Sequence, residues 1–371
     1  MPEAIVIGGG VMGLASAREL RRRGYSVTLL ERAQPGRAAS WASAGIIGAT
    51  VREEADPSYE LRRVSEQLWP SFAEQLQSES GMDPEYRETG CLYLAESERE
   101  LGWLERVVAR ARARPHGSGA AAELLDQQQV HELEPALAPN TCGALRVTGG
   151  NVEPRRLCRA LEIAARRAGV RIEGGVEVRS IGVTGERVAG VTTADGNYQA
   201  DVVVMAAGAW SSMIPGANTP VPVHPQRGQI MALDQAAAGV RHVLLTPEDP
   251  YFVPRCDGRL VIGATREEAG WDASLTAGGV AWLLNRAMAV VPELRDSPIA
   301  ELWTGFRPLS ADGLPLIGPG APRGLYLLTG HGPSGISPLP GSVALLGAMI
   351  AGEPLPLNPA PFDPLRFGSL C

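Results

Sequence analysis

Apolar positions along this chain recur with two periods, and their order predicts most of its elements. Ala4-Ile5-Val6-Ile7 is a run of consecutive apolar residues, the pattern of a strand buried on both faces. After Gly8-Gly9-Gly10, the segment Val11 to Arg23 repeats apolar side chains at helical spacing, as in a helix laid on a sheet. Val27 to Leu30 predicts a second strand, ended by Glu31. Further helices are predicted over Ser58 to Ser80, on Leu61, Val64, Leu68 and Phe72, and over Ser97 to Arg114, capped by Ser97. Pro154 opens another, to about Ala168, because proline suits a first helical turn. Thr276 to Val290 and a final stretch to about Ala351 complete the helices. Strands are predicted at Cys91 to Ala95, Val170 to Ile172, Val176 to Val183, Val188 to Thr193, Val202 to Met205 and Leu325 to Thr329. Alternating strands fill Pro220 to Phe306, Pro115 to Gly119 reads as a surface loop, and the proline-rich tail after Gly352 wraps the surface.

Nucleotide-type βα elements therefore occur at the start, middle and end of the chain, with antiparallel-looking segments inserted between them. The expected fold is α/β: a discontinuous Rossmann-like domain of residues 1–55, 151–219 and 308–371. An inserted α+β domain with an antiparallel sheet would occupy residues 56–150 and 220–307. At 371 residues, 44% of them hydrophobic, the chain is too long for one simple core, which favours this division.

Strand, glycines, helix, strand and acid in that order make a dinucleotide fingerprint. Gly8 permits the turn, Gly10 lets a pyrophosphate touch the backbone, and Gly13 lets helix and strand approach. Unpaired N–H groups and a partial positive charge at the helix N-terminus suit phosphates, and Glu31 suits a ribose. The bland alternative is a glycine-rich turn in an ordinary βαβ unit.

Composition narrows the function by exclusion. A net charge of −7 advertises no basic surface for nucleic acid. The longest apolar runs are strand-sized, so no membrane insertion is expected, and the N-terminal run reads as a strand rather than a signal peptide. Five scattered cysteines (Cys91, Cys142, Cys158, Cys256, Cys371) show no CxxC pairing, which argues against a zinc site or disulfide framework and suits a reducing cytoplasm. No metal site is expected; His224 and His242 lack any ligand spacing. The chain contains no lysine, which excludes a Schiff-base enzyme and a P-loop NTPase.

Four segments together resemble the glycine oxidase/D-amino-acid oxidase family of FAD-dependent amine oxidases. They are Val6 to Gly13, Ser43-Ala44-Gly45-Ile46-Ile47, Ala206-Ala207-Gly208-Ala209-Trp210-Ser211 and Gly330-His331-Gly332-Pro333-Ser334-Gly335-Ile336. Tyr251 to Arg255, and Gly305-Phe306-Arg307-Pro308 followed by Asp312 to Pro315, resemble that family's substrate-side elements. The resemblance implies FAD with its diphosphate at Gly8, Gly10, Val11, Met12 and Gly13, and its ribose at Glu31 with Arg32 alongside. It lays Ser40, Ser43, Ala44, Gly45 and Ile47 along the diphosphate and flavin, Val176 at the adenine, and Ala207, Gly208 and Trp210 near the adenosine half. His331, Gly332, Pro333, Ser334, Gly335 and Ile336, at the start of the last helix, would face the flavin pyrimidine, where a helix N-terminus stabilises negative charge. A plain strand-to-helix turn is the alternative there.

For catalysis the resemblance selects Arg307, which also counts among the flavin contacts, and Tyr251. An arginine binds a carboxylate through two parallel charge-assisted hydrogen bonds. A surface ion pair for Arg307 and a packed interface tyrosine for Tyr251 are the bland readings; Arg227 and Arg255 read as structural. The implied reaction is oxidative deamination of a small amino acid or N-alkyl amino acid, with oxygen reduced to hydrogen peroxide. A dehydrogenase passing electrons to a quinone or carrier is the alternative, with an NAD-dependent enzyme and a non-catalytic flavoprotein behind it. Where the family carries a second arginine, this chain has Gly332-Pro333-Ser334, and no cysteine lies between Leu309 and Ile317, so FAD is expected to be non-covalent. Tetramers occur in the family, which leaves a homo-oligomer open.

Overall fold

Val202–Met205 and the apolar core of Glu3–Ile7 pair in parallel at the centre of a six-stranded sheet. The order is Leu316–Pro319, Leu325–Thr329, Val202–Met205, Glu3–Ile7, Ser26–Glu31, Arg171–Gly174, and only the Leu316–Pro319 edge is antiparallel. Strand alternation divides the first strand between two cores. Ala4 and Val6 pack with the helices Val11–Arg22, Pro154–Arg167 and Leu339–Ala351, whereas Ile5 and Ile7 pack under a three-stranded sheet of Val178–Thr184, Arg187–Thr193 and Asn197–Gln199. The structure is a computed structural model and describes residues 1–48, 57–112, 122–234, 238–247 and 250–368. The expected loop Pro115 to Gly119 lies outside these residues.

The second sheet has eight strands, in the order Ile299–Ser310, Val223–Asp234, Arg259–Gly263, Tyr251–Pro254, Val243–Leu245, Cys91–Ala95, Gly143–Val147, Glu123–Asp126. Every neighbouring pair is antiparallel except Val243–Leu245 with Cys91–Ala95. Alternation again sorts its side chains: Met231, Phe252 and Ile262 pack against the helix Ala277–Val290. Ile230, Val253 and Val261 face Ala42 and Ala44 of the loop after the second nucleotide strand. The strand Ile299–Ser310 runs unbroken through position 307, so the expected change of unit after that residue lies inside a strand.

One helix packs on a face different from the expected one. In Tyr59–Ser80 the buried stripe is Leu61, Ser65, Trp69, Ala73, Leu76 and Ser80, while Val64, Leu68 and Phe72 are half-buried. Small residues decide this, because a Cβ on Gly341 of the last helix would stand 2.4 Å from Ser65 Oγ. The Ser65 hydroxyl is satisfied in that contact, donating to Leu61 O at 2.7 Å and accepting from Gly341 N at 3.0 Å. Among the described residues no helix is long and apolar enough to cross a membrane.

Candidate active site

A cleft of about 1100 Å³ opens between the carboxyl ends of the parallel strands and the antiparallel sheet. Ligand clefts of α/β sheets lie at such strand ends, where the strand order switches direction. Gly8, Gly10, Val11, Met12, Glu31, Arg32, Ser40, Ser43, Ala44, Gly45, Val176, Ala207, Gly208 and Trp210 all line it. So do His331, Gly332, Pro333, Ser334, Gly335 and Ile336, together with Tyr251 and Arg307.

Gly13 and Ile47 do not line the cleft. Gly13 acts beneath it: a Cβ there would stand 1.9 Å from the Gly8 carbonyl oxygen, so the bare backbone lets the helix meet the turn. Ile47 belongs to the core beside Leu61 and Trp69, because in the strand Ile46–Gly48 its neighbours Ile46 and Gly48 take the cleft side. The resemblance lays Ile47 along the cofactor, but its neighbours Ile46 and Gly48, not Ile47, line the cleft.

The nucleotide side is built from local constraints. Gly8 has φ +105°, and a Cβ on it would stand 2.4 Å from Ala206 O of the neighbouring strand's end. Glu31 is fixed by Gly9 N–H at 2.6 Å and Ala33 N–H at 2.9 Å, one to each carboxylate oxygen. Val176 N–H donates to Glu31 O at 2.9 Å, which fixes this cleft residue against the strand tip. Ser40 Oγ accepts from Val11 N–H at 3.1 Å, which ties the loop to the first helical turn. The Arg32 guanidinium lies 3.6 Å above the Trp210 ring, and Trp210 stacks on Trp271 with centroids 4.6 Å apart. Neither Trp271 nor its edge contact with Phe306, at 5.5 Å, carried a local sequence signal.

At the other end, Gly332–Ser334 forms a short 3-10 turn, and the last helix starts only at Leu339. The loop therefore leads into the start of the last helix. His331 is buried, with Nε2 3.2 Å from Ser342 Oγ, and burial pushes its pKa down to about 3. It is thus neutral at pH 7. An unfolded chain protonates this ring near the ordinary 6.5 while the folded one does not, so stability must fall as pH drops from about 6.5 toward 3. His331→Asn should remove that component, up to about 1.4 kcal/mol per pH unit, in denaturant midpoints measured from pH 7 to pH 4.

The antiparallel sheet supplies the polar groups opposite. Arg307 pairs across with Gln226, and its Nη1 donates to Thr265 O at 3.0 Å. Tyr251 pairs across with Gly263. Arg255 and Arg227, read as structural, are so. Buried Arg255 donates to Ala44 O at 2.7 Å and Val152 O at 2.9 Å and lies 3.1 Å from Glu153, so it pins the loop that lines the cleft. Arg227 pairs with Glu267 and, at 3.0 Å, with Asp272. His242 sits 2.6 Å from buried Glu134, and His224 is 3.6 Å from Glu268.

The chain as a whole is similar to known proteins. The family model described as DAO, FAD dependent oxidoreductase, matches residues 3–349. Glycine oxidase of Pseudomonas aeruginosa is 34% identical over 368 residues, covering 97% of this chain and 98% of that protein. The crystal structure of glycine oxidase from Geobacillus kaustophilus superposes with a TM-score of 0.91 at 30% identity, covering 99% of each chain. That of iminodiacetate oxidase from Chelativorans sp. gives 0.86 at 29%, covering 97% of this chain and 98% of that one. The chain belongs to the DAO family of FAD-dependent oxidoreductases, as an amine oxidoreductase of the glycine oxidase type.

Proposed function

We propose that this protein oxidises a small amino acid or N-alkyl amino acid, holding FAD non-covalently in the cleft and using oxygen as acceptor. The reading is carried by one juxtaposition. An arginine and a tyrosine on the antiparallel sheet line the same cleft as a glycine cradle with a strand-tip glutamate. The cradle suits a dinucleotide: Gly8 and Gly10 bring bare backbone to the cleft wall, and Glu31 presents two fixed carboxylate oxygens to ribose hydroxyls. In this reading residues 1–55, 151–219 and 308–371 serve the cofactor, and residues 56–150 and 220–307 serve the substrate.

FAD held by this cradle would supply the two-electron acceptor for the substrate C–H bond, with oxygen as the final acceptor. The chain's own part is positioning. Arg307 takes the substrate carboxylate, which fixes the α-carbon relative to the cleft wall. Tyr251 Oη offers a hydrogen bond to the carboxylate or the amine. Buried neutral His331 adds no charge of its own at the loop it opens. No side chain on the substrate side is assigned as a general base. A cytoplasmic location stays with this reading, supported by free thiols at Cys91, Cys142, Cys158 and Cys256.

Reaction under air with glycine, sarcosine, D-alanine and D-proline tests the reading by peroxide yield. One peroxide per amine consumed is expected; amine-dependent flavin bleaching without peroxide in air would favour a quinone or carrier acceptor instead. A second reading, an amine with two carboxylates, is favoured by Arg266, which also lines the cleft one residue beyond the Thr265 carbonyl that holds Arg307. Iminodiacetate belongs in the same panel for that reason.

A further inference from the structure

Gly228 lies inside the strand Val223–Asp234, and Gly263 ends Arg259–Gly263. Neither has a positive φ. Glycine inside a strand otherwise marks a close approach. A Cβ on Gly228 would stand 2.6, 2.8 and 2.9 Å from Nη2, Cζ and Nη1 of Arg307. One on Gly263 would stand 2.7, 2.9 and 3.0 Å from Oη, Cζ and Cε2 of Tyr251. The guanidinium and the phenol thus lie flat on bare backbone, at two positions of adjacent strands joined through the pairs Ile230 with Gly263 and Gln229 N–H with Thr265 Oγ.

We propose that Gly228 and Gly263 are positioning residues: a glycine floor that sets the height of Arg307 and Tyr251 above the sheet. The inference rests on the reading of Arg307 as the carboxylate-binding group. Three observations support it. Neither glycine is called for by a positive φ. In both, the obstructing atoms belong to the functional group of the overlying side chain, not to its stem or to neighbouring backbone. Arg307 is also held laterally, by the Thr265 carbonyl at 3.0 Å, and the floor adds a vertical constraint. A methyl group at 228 would lift or tilt the guanidinium by about 1 Å, a displacement that costs on the order of 100-fold when a reacting group must be aligned.

The experiment is a double-mutant cycle on the holoenzyme, read by equilibrium binding of acetate, a carboxylate with no amine to oxidise. Acetate is followed by calorimetry and by perturbation of the oxidised flavin spectrum, alongside flavin content and Tm. Gly228→Ala should weaken acetate roughly 10- to 100-fold and raise the substrate KM in parallel, with flavin content unchanged. In the Arg307→Ala background, adding Gly228→Ala should change acetate affinity by less than about twofold, because a floor with nothing resting on it has no function. Gly263→Ala should behave likewise toward Tyr251→Ala in substrate KM. Wild-type acetate affinity in folded Gly228→Ala would overturn the floor while leaving the carboxylate reading intact. Wild-type affinity in Arg307→Ala would overturn both. Should Gly228→Ala alone fail to fold, Gly228→Ala/Arg307→Ala decides. Recovery of fold and flavin supports the floor, since removing the guanidinium makes room for the methyl; continued failure means the backbone itself requires glycine and refutes it.

Discussion

Arg307→Ala should raise the KM for the amino-acid substrate on the order of 100-fold while the purified protein keeps its flavin. The magnitude follows from what is removed. A guanidinium and a carboxylate in a partly enclosed cleft form charge-assisted, two-point hydrogen bonds. Truncating one partner of such a pair costs about 2–5 kcal/mol, and each 1.4 kcal/mol is a factor of ten. Flavin should be spared because the mutated group rests on Gly228 and Thr265 of the antiparallel sheet, while the glycine cradle and Glu31 stand on the parallel one. The strand itself should survive, since residues on either side of Arg307 continue to pair with Val223–Asp234. Steady-state kinetics with the ratio of flavin to protein absorbance provides the check. A variant with unaltered KM would remove Arg307 from the substrate site.

Gly13→Ala should do the reverse and strip the cofactor. Its new methyl carbon would stand 1.9 Å from Gly8 O and 3.0 Å from Gly8 C, and both are backbone atoms that no rotamer change can move. The helix Val11–Arg22 would have to back away from the turn it caps, carrying Val11 N–H away from Ser40. Overpacking of this kind costs about 1–3 kcal/mol or more, and the geometry at Gly8 to Gly10 is lost with it. The expected protein is colourless or substoichiometric in FAD, with a Tm lowered by several degrees. Gly102→Ala is the matched control: it lies in the helix Glu98–Arg112, and its nearest Cβ neighbour is Arg106 Nη1 at 3.6 Å. It should be neutral or slightly stabilising, as alanine for glycine in an open helix is. Equal flavin content in both variants would mean that the helix-to-turn contact does not shape the cradle.

What could be read in the sequence was whatever depends on neighbours along the chain. The apolar runs Ala4 to Ile7 and Val202 to Met205, the glycine turn and Glu31 each carry their pattern within a few residues, and each forms the expected element. Two motif segments reached the cleft for the same reason: Ala207 to Trp210 and His331 to Ile336 follow strand ends, and strand ends converge there. Misses begin where a partner lies far away. Ile47 was assigned by motif, but alternation in a three-residue strand turned it into the core. The buried stripe of Tyr59–Ser80 runs through Ser65, because close packing against Gly341 rewards a small residue that apolar periodicity does not mark.

The sequence by itself determined the strand, glycine turn, helix and strand-tip acid of the nucleotide cradle, since these need only local spacing, and the motif resemblance singled out Arg307, which lines the cleft. Only the tertiary structure decided how that arginine is held. Gly228 and Thr265, which set its place, lie 79 and 42 residues away in the chain and touch it through strand pairing alone. Arg255 likewise reaches Val152 and Ala44 across more than a hundred residues to brace the cleft loop. Pairing register and side-chain height over a sheet are properties of contacts between distant segments, and no local pattern encodes them.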